Sequence, residues 1–104
     1  MDDLTFIYAS CSTCEILAHL AKESLGLGRA ALKLCHSMRS ANPAPSTIDK
    51  AFNQLIEKHA SVCMWLSLIL DEADVYKADA IVKEEAARWR KRLEDRCHEE
   101  AERL

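Results

Sequence analysis

Apolar side chains recur along this chain at intervals of three and four residues, the repeat of a helix with one buried face. Ile7, Cys11, Cys14, Ala18, Ala21 and Leu25 make the first such stripe, and Gly26 behind it is a natural helix stop. Within that stretch Ser12-Thr-Cys-Glu15 has the form of a capping box. It allows a second arrangement, a turn or short helix over 3–10 followed by a helix that starts at Ser12. Beyond Gly28 a shorter helix gathers Ala31, Leu34, Cys35 and Met38 and closes near Arg39, ahead of the loop that holds Pro43 and Pro45.

The next stripe is the longest: Ile48, Ala51, Phe52, Leu55, Ile56, His59, Val62, Cys63, Leu66, Ile69 and Leu70. Ser46 or Thr47 suits its N-cap, with Asp49 in the first turn facing the positive end of the helix. From Val62 onward Met64, Trp65 and Leu68 make the opposite face apolar as well. A helix that is apolar all round has to be buried all round, which places this segment at the centre of a bundle or partly beneath a second molecule. After Asp71-Glu-Ala-Asp74 there is no Gly or Pro up to Leu104, so the last helix either continues the third or begins after a bend near 71–79. Its seam is narrow, with Val82, Ala86, Trp89, Leu93, Cys97, Ala101 and Leu104 running along an otherwise charged rod. Seven Lys/Arg and seven Asp/Glu are intermixed over 83–104, as in a solvated or coiled-coil helix with intrahelical ion pairs.

Strand alternation and Asn-Gly or Asp-Gly hairpin turns are missing. The pattern predicts an all-α fold, a bundle of about four helices near 4–25, 28–40, 46–70 and 73–103, within one domain over 1–104. Its C-terminal helix is long, and the last turns project beyond the rest.

Composition narrows the class. With 49% hydrophobic and 30% charged residues the 104-residue chain has the make-up of a folded domain rather than a disordered one. A formal net charge of -3 supplies no global field that would draw it to nucleic acid or an anionic membrane. The longest apolar run, Val62 to Leu70, is far shorter than the roughly 17–25 residues that span a bilayer. An odd count of five cysteines without a leading signal pattern points to a reducing, intracellular setting, cytoplasmic or nuclear.

Candidate chemistry is sparse. Cys11-Ser-Thr-Cys14 has the spacing of a zinc or dithiol redox pair, yet a zinc site usually needs a second close pair, and Cys35-His36 and Cys97-His98 are adjacent residues that point to different helix faces. Cys11 and Cys14 fall on the first apolar stripe, where free cysteine acts as a small buried hydrophobe, so no metal or cofactor is expected, and a metal or thiol-redox site at this pair is the alternative. Leu68-Ile-Leu-Asp-Glu-Ala-Asp74 resembles, over these residues alone, the magnesium-binding strand end of DEAD-type helicases. Such an ATPase needs a Gly-rich loop ending in Gly-Lys-Ser/Thr, which is absent, and the acidic cluster reads as a helix start. His59 sits on the main apolar face with no Ser, Cys or acid spaced to complete a triad, and reads as a core histidine; His19 and His36 read as surface residues. No nucleophile, base and oxyanion donor assemble from the sequence, which points away from an enzyme.

Arg88-Trp-Arg-Lys-Arg92, followed by Arg96, is the one basic cluster. It suggests either a helical nucleic-acid-binding accessory domain using Arg88 to Arg96 or an arginine rim around an aromatic anchor at a protein interface. Glu84, Glu85, Glu94, Asp95 and Glu99 bracket the cluster and would repel phosphate, which favours the second. The expected activity is therefore protein–protein interaction or assembly, with self-association or docking through the third and fourth helices. Trp89, Leu93, Arg88 and Arg92 are the expected contact residues, and Trp65 is a second anchor.

Overall fold

The computed structural model describes all 104 residues and is helical with no strand. Its four helices are α1 (Asp3–Ser10), α2 (Thr13–Arg39), α3 (Pro45–Ser67) and α4 (Glu72–Glu102). The all-α class and the long last helix are those the periodicity predicts. The chain divides into two compact units, Met1–Ile69 and Leu70–Leu104.

The first boundary is set by the capping box. Glu15 N–H donates to Ser12 Oγ at 3.1 Å, and Ser12 N–H donates back to Glu15 Oε1 at 3.4 Å. Of the two arrangements open to the N-terminal stretch, the chain therefore adopts the short helix followed by the long one. Asp2 caps α1, accepting from Thr5 N–H at 2.7 Å. Hydrogen bonding from Thr5, side chain first and backbone second, holds the Asp2 carboxyl below its ordinary value of 3.8.

The expected stop at Gly26 does not occur. α2 runs unbroken for 27 residues, and neither glycine adopts the left-handed conformation of a helix C-cap. The tertiary contact overrides the local signal: a Cβ at Gly26 would lie 3.2 Å from the Lys58 stem, so glycine here lets that side chain of α3 lie close.

α2 and α3 pack as an antiparallel hairpin. His19 lies beside Trp65, Glu23 bonds Lys58 and Gly26 meets Lys58, so positions climb along α2 as they descend along α3. The enclosed face of α2 is Ile16, Leu20, Glu23, Leu27, Ala30, Leu34 and Ser37; that of α3 is Ile48, Ala51, Leu55, Lys58, Val62 and Trp65, continued by Ile69 in the turn beyond. Both alternate steps of four and three, the heptad seam of a coiled coil. Ile16 and Ala51 (2% exposed each) and Ala30 (8%) are its fully buried members.

That seam corrects the predicted stripes. Cys14, Ala18, Ala21 and Leu25 are exposed, as are Ala31 and Met38, while Cys11, Leu34 and Cys35 are half-buried. The seam instead takes Ile16, Leu20, Leu27 and Leu34, whose branched side chains bury more area than Cys14, Ala18 or Ala21 would. α3 is not buried all round either. Phe52, Ile56, His59 and Cys63 are exposed, and Val62, Met64, Trp65 and Leu66 are half-buried.

α3 begins after Ala44 with Pro45 in its first turn and no side-chain cap, so Ser46 and Thr47 lie inside the helix rather than capping it. Proline's fixed φ already suits the first helical position. The helix ends at Ser67, and Asp71 then caps α4: Asp74 N–H donates to Asp71 Oδ1 at 2.8 Å, and Asp71 N–H donates to Asp74 Oδ2 at 3.1 Å. The acidic cluster is thus a helix start, and α3 and α4 are separate helices. α4 has no buried residue over its 31 positions. No single helix is long and apolar enough to cross a membrane.

Candidate interaction site

Four of the five expected contact residues sit together on α4. Trp89 is 53% exposed and Leu93 43%, one turn apart on the seam. The Arg92 guanidinium lies over the Trp89 ring, 5.0 Å from its centroid, where the ring's negative face attracts the cation and the arginine stiffens the indole. Arg88 pairs with Glu85 one turn back. A shallow apolar surface follows, lined by Ala86, Trp89, Arg90, Leu93, Glu94, Cys97 and His98. All of its lining residues belong to α4.

The basic cluster is largely engaged along its own helix. Besides the Arg88–Glu85 pair, Arg90 Nε donates to Glu94 Oε1 at 2.7 Å, and Arg96 lies 3.9 Å from Glu100. These exposed pairs are worth only tenths of a kcal/mol each, but they set a carboxylate beside most of the guanidinium groups. A phosphate backbone would have to compete with those carboxylates.

Trp65 is placed differently. It is half-buried in the hairpin seam, its ring stacked on His19 with centroids 4.6 Å apart and planes 8° from parallel. His19 is thus an exposed residue that covers an indole. His59, expected in the core, is exposed, with Nε2 3.6 Å from Cys63 Sγ. Cys11 is the C-cap of α1, and Cys14 is exposed in the first turn of α2, so the buried reading of this pair fails for Cys14. All five cysteines are free, and no cluster of three or more His, Cys, Asp or Glu is placed to hold a metal ion.

A second apolar surface, on the hairpin, was not separated out by the sequence pattern. Phe52 (51% exposed) and Ile56 (50%) flank the seam of α3, and Leu17 (46%) flanks that of α2, with Leu25 (65%) and Leu32 (64%) further round the same helix. In an antiparallel pair equivalent flanks fall on the same side, so Leu17 and Phe52 lie along one edge of the hairpin, Leu17 toward its Trp65 end and Phe52 toward its Ala30 end. The signal was present in the long α3 stripe, which is two registers wide. One register packs on α2 and the other, Phe52-Ile56-His59-Cys63, is left over.

Comparison with known proteins returns nothing: no protein-family model, curated protein or solved structure matches this chain.

Proposed function

We propose that this chain is a non-enzymatic helical assembly module that self-associates or docks to a protein partner through its third and fourth helices. The observation that carries this reading is the half-exposed Trp89, held by Arg92 and continued by Leu93, on a helix with no buried residue of its own. Large apolar side chains on such a helix gain free energy by being covered, at about 25 cal/mol per Å² removed from water. Aromatic and arginine side chains also dominate interface energetics, because they join a large apolar area to a directional polar group. Phe52 and Ile56 extend the argument to the third helix, whereas Trp65, stacked on His19, acts there chiefly through the hairpin. The five free cysteines suit a reducing, intracellular setting.

The test is Trp89→Ala. It should weaken association by about 2 kcal/mol or more, roughly thirtyfold in Kd, while helicity by circular dichroism stays at the parent level. A variant that associates as the parent does would place the interface elsewhere.

A further inference from the structure

We propose that His19 and Trp65 form an acid-strengthened clasp, a pH-sensitive device that tightens the open end of the α2–α3 hairpin when the imidazole takes up a proton. The pair sits where the hairpin ends, His19 in the second turn of α2 and Trp65 in the last turn of α3. Its rings lie 8° from parallel with centroids 4.6 Å apart, so the imidazole covers a face of the indole rather than an edge. A neutral imidazole in that place contributes contact area alone. A protonated one sets a full positive charge over the negative face of the indole, within the roughly 6 Å over which a cation is attracted to a ring. Because His19 is exposed while Trp65 is half-buried, the proton comes directly from solvent and the charged ring keeps water on its outer side.

The other charges around His19 balance. Along α2 Glu15 lies one turn before it and Glu23 one turn after it, with Lys22 beside Glu23. Glu15 is the partner of Ser12 in the capping box, and Glu23 is bonded to Lys58 of α3 at 3.1 Å. Two carboxylates therefore stand with two ammonium groups. On the same edge of α3 Ser61 and Met64 are uncharged. α1 brings Leu4, Thr5 and Tyr8 to Ser67 and Leu68, and these side-chain types carry no charge near neutrality. What distinguishes a protonated His19 in the hairpin from the same group in the unfolded chain is thus the indole face. The stack exists only in the folded hairpin, so proton uptake favours folding. The gain is full well below about pH 6.5, the ordinary midpoint of a histidine, and is lost as pH rises above it.

The test compares urea unfolding of the full chain at pH 7.5 and pH 5.5, a window in which carboxylates stay ionised, at one protein concentration. On going to pH 5.5 the folding constant of the parent should rise roughly two- to fivefold more than that of His19→Phe, which keeps an aromatic stack and cannot take a proton. Trp65→Leu keeps His19 and its charged neighbours but removes the indole, and should lose the same acid gain. Equal responses of the parent and His19→Phe overturn the clasp. An acid gain that survives in Trp65→Leu also overturns it, and assigns the effect to Glu15 and Glu23. A second reading needs no change at the stack, so it stands even if Trp65→Leu does not fold. In Trp89→Phe, where Trp65 is the sole indole, emission should fall between pH 7.5 and pH 5.5 because a protonated imidazole against an excited indole quenches it. Adding His19→Phe should leave emission flat across that range. Emission that is equally flat with His19 in place overturns the proposal.

Discussion

Ile16→Ala probes which face of α2 holds the hairpin together. Ile16 is 2% exposed at the foot of the α2 seam, whereas Leu25 is 65% exposed and lies on the stripe that the sequence pattern favours. The substitution removes three buried carbons at about 0.8 kcal/mol each, and the cavity left behind adds to this, for a total loss of about 2–4 kcal/mol. Leu25→Ala removes the same number of carbons from a site already largely in water and should cost under about 1 kcal/mol, partly offset by alanine's helix propensity. Urea unfolding followed at 222 nm reads both, with the slope unchanged and the midpoint shifted. Protein concentration must be held fixed, because self-association adds its own stabilisation. If Leu25→Ala destabilises as much as Ile16→Ala, the face assignment is wrong and the stripe from Cys11 to Leu25 is the core.

Gly28→Ala should raise stability by about 0.5–1 kcal/mol, since the glycine is mid-helix with open space where the methyl would go. Gly26→Ala should gain less, because the Lys58 stem 3.2 Å away must shift, and thermal melts of the two variants side by side show the difference. Ser12→Ala removes the side-chain half of the capping box and should cost about 1 kcal/mol, with faster amide exchange confined to the first turn of α2. The Asp2 cap has a lowered pKa, so its contribution to α1 is present above 3.8 and is lost as pH falls through the lower folded-state value. The Thr5 amide chemical shift should titrate below pH 3.8 in the parent and stay flat in Asp2→Asn.

Helix number and class were legible because three-and-four spacing needs no knowledge of partners. Faces were not, because spacing counts Cys14 and Ala18 as apolar on equal terms with Ile16 and Leu20, while packing weighs them by buried area. The capping box at Ser12 offered the true helix start as one of two arrangements, and the acidic cluster at Asp71 read as a helix start; both are caps whose two bonds are local. Gly26 misled for the opposite reason: its role is set by Lys58, thirty-two positions away in sequence. The α4 seam and the stacking of Arg92 on Trp89 could be anticipated from intrahelical spacing alone. The leftover register of α3 could not, because one long stripe does not say which half meets α2.

Self-association through the exposed α4 seam is tested most directly by the solution mass of the purified chain. Sedimentation equilibrium from about 1 to 100 μM should give twice the 11.7 kDa chain mass at the upper end and fall toward it on dilution, with Trp89→Ala moving the transition to higher concentration. A parent chain that holds 11.7 kDa across the whole range would contradict self-association and leave only docking to a different protein.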